Sequence, residues 1–218
     1  MARQRKAHRI FLSGPLHLSI DIDAVKGFLD AEEGATLYRA ALATASLGPL
    51  LEIGSYCGKS AVYIGSAARD AGSLLFTVDH HRGSEEMQPG WQHHDPATWD
   101  ARAGAMESLP FLRDTLRRAG LEEHVVPVVG RSATIARYWR TPLGFLFIDG
   151  GHAMAEAEAD YRGWTPHVAA GGTLAIHDVF SDPKDGGRPP FEIYKMALGS
   201  GAFVETGAVK SLRLLRRV

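Results

Sequence analysis

The sequence predicts an α/β fold in which a mostly parallel sheet carries helices on both faces. Three observations support it. Short apolar runs alternate with stretches of helical periodicity through most of the chain, which is the signature of βαβ units. The early runs end on a glycine, an acid or a histidine rather than on an ordinary turn. The last two runs have no helical stretch between them, so they close the sheet as a hairpin at one edge.

The elements follow in order. In residues 24–46, Val25, Phe28, Leu29, Leu37, Ala40, Ala41 and Ala45 recur at helical spacing. Gly34 is expected to divide this run into two helices, and Gly48-Pro49 ends it. Residues 50–53 read as a buried strand, and a glycine-rich turn follows. Residues 60–71 form an alanine-rich helix closed by Gly72. The second strand, 74–78, ends at Asp79. An amphipathic helix at 109–119 is closed by Gly120, and a third strand at 125–129 runs into Gly130-Arg131-Ser132. A short helix is expected near 134–139. The fourth strand, 145–148, ends at Asp149. A helix over 155–168 is stopped by Gly171-Gly172, and the fifth strand, 173–176, ends at His177-Asp178. Residues 191–198 are the last helix, and 203–205 with 211–215 form the hairpin. Residues 80–107 fit no element. Structureless connectors beyond about 15 residues are uncommon and usually functional, so this segment reads as an insertion, or lid, over the site.

The bulk numbers narrow the class. The length of 218 residues suits one domain, with 1–46 as an N-terminal arm and helices. With 45% hydrophobic and 22% charged side chains, the chain can bury a core. A formal net charge of -1 speaks against nucleic acid as partner. No apolar run approaches the roughly 20 residues that span a bilayer, so no membrane is expected. The lone cysteine, Cys57, can form no internal disulfide, which points to the cytoplasm.

Ligands of an open parallel sheet bind outside the carboxyl ends of the strands, so the residues there are the candidates. In Glu52-Ile53-Gly54-Ser55-Tyr56-Cys57-Gly58 two glycines let the backbone approach a ligand, and the next helix offers free N–H groups. The spacing is neither the dinucleotide fingerprint nor a P-loop. Asp79, after the second strand, suits ribose hydroxyls. Each taken alone is also explained as an ordinary turn or cap; the pair points to a nucleoside site.

Glu52-x-Gly54-x-x-x-Gly58 with Asp79 resembles the cofactor half of class I S-adenosylmethionine-dependent methyltransferases, over nearly the whole chain after residue 45. The resemblance implies a Rossmann-like, doubly wound sheet of seven strands in the order 3-2-1-4-5-7-6, the last antiparallel. It implies that the glycine turn passes under the methionine moiety, that Asp79 holds the ribose and that Gly130-Arg131-Ser132 borders the adenine. The implied cofactor shell is Glu52, Gly54, Ser55, Gly58, Ser60, Asp79, Ser132 and Asp149.

The fourth and fifth strands are neighbours in that sheet, so Asp149, His177 and Asp178 would converge. Two carboxylates and an imidazole suit a divalent cation; carboxylates favour Mg²⁺ or Mn²⁺, and the imidazole also admits Zn²⁺. Asp149 is similar to the acid after the fourth strand in metal-dependent O-methyltransferases of the catechol and caffeoyl-coenzyme A type. Those enzymes carry Asp-Asn where this chain has His177-Asp178, so the ligand set is altered. Mg²⁺ is the implied ion, and His177 is either a ligand or only an orienting neighbour. Their lysine, three positions after the first Asp, is replaced here by His152, as in the Asp-x-x-His form of macrolide-sugar methyltransferases. Histidine suits a general base, since its ordinary pKa lies near neutrality; the competing reading of His152 is a helix cap or surface residue.

The 80–107 segment holds Trp91, His93, His94 and Trp99 among acids and amides. Planar rings and polar groups suit a sugar, and the competing reading is an exposed loop. His93-His94-Asp95 is a further candidate metal triplet. Glu-Ile-Gly-Ser-Tyr-Cys-Gly-Lys-Ser with Val-Asp-His-His-Arg-Gly-Ser-Glu-Glu is similar to methyltransferases of methylmannose polysaccharide precursors. That implies a sugar or oligosaccharide acceptor, such as the 1-hydroxyl of a mannoside, and a homodimer. A phenolic or macrolide acceptor is the alternative. The rivals of another class are an NAD-dependent oxidoreductase, which the broken dinucleotide fingerprint opposes, and a non-catalytic nucleoside-binding protein.

Overall fold

A computed structural model describes residues 16–91, 93–151, 153–182, 184–185 and 187–218. The elements are α1 (Ala31–Thr44), β1 (Leu50–Ile53), α2 (Lys59–Ala71), β2 (Leu75–Asp79), β3 (Trp99–Asp100), β4 (Ala105–Met106), α3 (Leu109–Ala119) and β5 (Val125–Val129). They continue with α4 (Ser132–Ala136), β6 (Leu143–Ile148), α5 (Met154–Trp164), β7 (Val168–Ile176), α6 (Arg188–Gly199), β8 (Phe203–Val209) and β9 (Leu212–Arg217). Seven strands form one sheet in the order β5-β2-β1-β6-β7-β9-β8. With the small β3–β4 hairpin set aside, this is 3-2-1-4-5-7-6. Strand β9 runs antiparallel to both β7 and β8, and the remaining pairs are parallel. The sheet order implied by the resemblance is therefore the one found.

Burial explains why these runs are strands. Every residue of β1 and β6 is buried, as expected of central parallel strands covered by helices on both faces. One side of the sheet packs Phe145 and Phe147 against Leu37, Tyr63, Ile64 and Leu112. The other packs Leu146, Ile148 and Leu174 against Trp164 and Ile193. Each such side chain contributes about 1.5–3 kcal/mol by leaving water. Pro127 sits in β5, the edge strand, where the missing N–H breaks no interior ladder. Among the described residues, no helix is long and apolar enough to cross a membrane.

Three expectations are corrected. Gly34 does not divide a helix; it lies inside α1. A Cβ there would stand 2.3 Å from the buried Tyr63 ring, so glycine lets α1 settle onto α2. Helix α1 begins only after Asp30, whose side chain accepts from the Glu32 N–H at 2.8 Å, so Val25 and Phe28 lie before it. The helix expected to reach residue 168 ends at Trp164. Thr165-Pro166-His167 makes a 3-10 turn, and β7 starts at Val168. Residues 80–107 are not structureless either. They hold two 3-10 turns and the β3–β4 hairpin, and Arg82 ties their ends through Glu107 (3.2 Å) and the Met106 carbonyl (3.1 Å).

Candidate active site

The glycine turn lies against the end of β6. Gly54 has φ +86°, and a Cβ there would meet the Asp149 carbonyl oxygen at 2.1 Å. Only glycine allows that approach, and it brings the turn after β1 against the first acid of the chemical end. Gly58, also in the left-handed region, caps α2, where a Cβ would press on Leu112 of α3. Among the described residues, Tyr56, His81 and Asp178 are non-glycine residues with positive φ. They follow β1, β2 and β7, and such backbone conformations gather at functional sites.

Asp79 braces this turn. Its Oδ2 accepts from the Ser55 and Tyr56 N–H groups at 3.0 Å each, and its Oδ1 from the His81 N–H at 2.7 Å. Ser55 Oγ adds a longer contact to Oδ2 at 3.5 Å, so Oδ1, with a single N–H donor, is the oxygen with room for a ligand hydroxyl. Glu52 lies below the turn, fully buried. Thr77 Oγ1 donates to it at 2.6 Å. Burial pushes its carboxyl up to about 7, partly offset by hydrogen bonds from Ser60 and Thr77. Ser132 accepts from Trp164 Nε1 at 2.7 Å and donates to buried Asp160; burial raises the Asp160 carboxyl to about 6.

Asp149, His177 and Asp178 converge at the ends of the neighbouring strands β6 and β7. One ligand atom from each lies within 4.8 Å of the others. His177 Nδ1 is 3.1 Å from Asp149 Oδ1 and 3.4 Å from Asp178 Oδ1. The imidazole is buried while both acids remain about a quarter exposed (24% and 26%), so the cluster opens outward through its carboxylates. Its other nitrogen, Nε2, meets Glu33 Oε2 of α1 at 3.0 Å. Burial disfavours a charge on the ring, but Asp149 foremost, with Asp178 and Glu33, draws its pKa far up. His152 lies outside the described residues.

A cleft of about 1060 Å³ runs from the Gly54 turn to Asp149, His177 and Asp178. Small-molecule sites run to roughly 300–1,000 Å³, so this one has room for a cofactor and an acceptor. Gly54, Ser55, Ser60, Asp79, Ser132, Asp149, His177 and Asp178 line it; Glu52 and Gly58 do not. These two shape the turn from beneath. The mouth is aromatic: Phe28 stacks on Tyr56 (6.1 Å) and meets His93 edge-on (5.2 Å), and Trp91 is half-exposed beside them. Lys26 pairs with Asp95, which joins the N-terminal segment to residues 80–107. Asp95 is thus engaged, and His94 Nδ1 lies 3.1 Å from the Met87 carbonyl. Among the described residues only Asp149, His177 and Asp178 form a metal-type cluster, so the His93-His94-Asp95 triplet does not.

Sequence reasoning missed Glu33 and Asp160. Glu33 sits one and two helical turns before the buried Leu37 and Ala41, on the apolar face of its helix. An acid on an apolar face was the available signal. Asp160 carried none.

Fold and cleft place the chain in the class of Rossmann-like α/β proteins whose ligand site lies at the carboxyl ends of parallel strands. Within that class it belongs to the methyltransferase family: the Methyltransferase domain matches residues 51–179, from β1 through the metal-type cluster. Solved structures of O-methyltransferases share the fold. TomG from Streptomyces achromogenes, solved with SAM and involved in tomaymycin synthesis, is 18% identical; the match covers 88% of this chain and 82% of TomG, with a TM-score of 0.60. NovP is 16% identical over 86% of this chain and 80% of its own, with a TM-score of 0.66. An O-methyltransferase from Bacillus cereus, solved with SAH, is 14% identical over 87% and 83%, with a TM-score of 0.60. At these identities the likeness is one of fold.

Proposed function

We propose that the protein is an S-adenosylmethionine-dependent O-methyltransferase that methylates a hydroxyl of a sugar or oligosaccharide. The observation that carries the reading is the convergence of Asp149, His177 and Asp178 in the wall of the cleft whose floor is the Gly54 turn. A nucleoside cofactor on that floor would find the Ser55–Asp79 rim at its ribose and Ser132 at its base. Asp79 Oδ1, which accepts from one N–H only, supports the ribose contact. The three ligand atoms of the cluster fit a divalent cation. Asp149, His177 and Asp178 would hold it, Mg²⁺ being the ion the family resemblance implies, and its chemistry there is to lower the pKa of a hydroxyl drawn to it.

The residues divide the work. Asp149 anchors the acceptor end, and its contact with Gly54 sets the distance between acceptor and cofactor. His152, three residues further on, takes the acceptor proton. The acceptor oxygen forms the new O–C bond in line as the S–C bond breaks, and the sulfur keeps the electron pair as S-adenosylhomocysteine. Holding two substrates in this geometry supplies much of the acceleration. The insertion, joined to the N-terminal segment by Lys26 and Asp95, is a lid that keeps water out.

The aromatic mouth supports a sugar, whose C–H face stacks on Phe28 or Trp91 while polar neighbours meet its hydroxyls. The 1-hydroxyl of a mannoside is the first acceptor to try. Exposed Phe28 also suits a flat phenol or a macrolide, which is the second reading. A homodimer is part of the proposal; exposed Val126 and Val129 on the β5 edge support an interface, which sedimentation would test.

The test is a mass-shift assay with S-adenosylmethionine against mannosides, other sugars and phenols, with and without EDTA. Expected is a methylated sugar, lost with EDTA and restored by added metal. Asp149→Ala and His152→Ala should each lower turnover about 100-fold or more. Unchanged turnover in both variants would overturn the assignment of the chemical end.

A further inference from the structure

Glu33 stands apart from the roles assigned so far. It lies on α1, almost fully buried, and reaches across to the end of β7. Its Oε1 accepts three hydrogen bonds from the turn between β8 and β9: Ser211 N–H at 2.9 Å, Ser211 Oγ at 2.8 Å and Leu212 N–H at 3.1 Å. Its Oε2 faces His177 Nε2 at 3.0 Å. With Oε1 taken by three donors, Oε2 is the oxygen left to face the ring, and His177 Nε2 is the donor across that 3.0 Å contact.

With Nε2 facing Glu33, Nδ1 is directed at Asp149 Oδ1 and Asp178 Oδ1, and a cation bound there would replace the proton that Nδ1 shares with them. Three donors from the β8–β9 turn keep Glu33 from swinging away. A buried carboxylate that orients an imidazole from behind while its second nitrogen faces a ligand cluster is the arrangement that sets tautomer and basicity in metal sites.

We propose that Glu33 is a positioning residue that presents His177 Nδ1 as an imidazole ligand beside Asp149 and Asp178, giving a centre that prefers Mn²⁺ to Mg²⁺. The inference rests on the metal-assisted reading above. It decides between His177 as ligand and His177 as mere neighbour. An imidazole in place of one oxygen donor lowers the advantage of the hard, strongly hydrated Mg²⁺ ion.

Metal binding to the full chain tests it, with Mn²⁺ as the probe and no acceptor present. Wild-type protein should bind Mn²⁺ more tightly than Mg²⁺. Its electron spin-echo spectrum should show ¹⁴N modulation from a directly bound imidazole that is absent in His177→Ala. Glu33→Ala should weaken Mn²⁺ about 10–100-fold and remove or scatter the ¹⁴N signal. Its S-adenosylhomocysteine affinity should stay that of the wild type. Ser211→Ala, which removes one donor to Glu33 without touching His177, should bind Mn²⁺ like the wild type. Wild-type Mn²⁺ binding without ¹⁴N modulation, or equal Mn²⁺ affinity in Glu33→Ala, overturns the proposal while leaving the metal reading intact. Equal losses in Ser211→Ala and Glu33→Ala would assign the effect to hairpin packing and overturn it as well. No Mn²⁺ or Mg²⁺ binding by the wild type overturns the metal reading itself. If Glu33→Ala fails to fold, ¹⁵N-histidine spectra of the Cd²⁺-loaded wild type decide. Metal-bound Nδ1 with protonated Nε2 is expected, and any other state contradicts it.

Discussion

Glu52 makes the stability of the sheet depend on pH. Its carboxyl is raised from an ordinary 4.5 to about 7 in the folded chain. The folded state thus holds this proton more tightly than the unfolded state. Its contribution is fully present below about pH 4.5 and is lost as pH rises through about 7. Glu52→Gln keeps an acceptor for Thr77 and abolishes the titration. Its stability relative to wild type should rise by about 3 kcal/mol between pH 4.5 and pH 8, read by urea denaturation at several pH values. A difference that stays constant with pH would show that Glu52 is not buried as a neutral acid. Residue by residue, the sequence exposed Gly54, Asp79, Asp149, His177 and Asp178 because each follows a strand, where ligands bind. It could not separate Glu52 and Gly58, which support the turn, from the residues that face the cleft. For Glu52 that distinction depends on which way a side chain leaves a strand already buried on both faces, and for Gly58 on the contact with Leu112 of α3.

Among the elements, α1 shows what periodicity can and cannot reveal. Gly72 and Gly120 were read correctly as helix ends because both take the left-handed conformation that closes a helix. Gly34 carries the same letter for another reason: its neighbour is the Tyr63 ring on α2. Contacts between elements distant in sequence leave no mark in the local pattern. Gly34→Ala should therefore cost about 1–3 kcal/mol by overpacking, far more than helix propensity would suggest. Combining it with Tyr63→Leu should recover part of that loss in a double-mutant cycle followed by chemical denaturation. Additive effects would place the cost elsewhere. The ending of α5 follows similar logic, since Pro166 offers no N–H to continue the helix.

Across the whole molecule, the site is assembled from parts far apart in the chain. The Gly54 turn and Asp149 meet at the centre of the sheet, Glu33 comes from the N-terminal helix, and the β8–β9 turn holds Glu33 from the C-terminal end. Strand alternation and the closing hairpin made the fold class legible, and the strand order came with the family resemblance. The long-range carboxylate contacts were not legible, because they require the finished fold. Lys26 and Asp95 span the cleft mouth as a surface pair, worth about 0–1 kcal/mol to stability. Lys26→Ala should leave the melting temperature within about 4 °C of wild type. It should raise the KM for the acceptor more than that for the cofactor, as a loosened lid would; equal changes in both would remove the lid from the mechanism.

Titration calorimetry with S-adenosylhomocysteine is the most direct test of a methyl-donor site on the Gly54 turn. One equivalent should bind the wild-type chain, binding should weaken at least about tenfold in Asp79→Asn, and NAD should give no heat. Absence of S-adenosylhomocysteine binding, or binding of NAD in its place, would contradict the assignment.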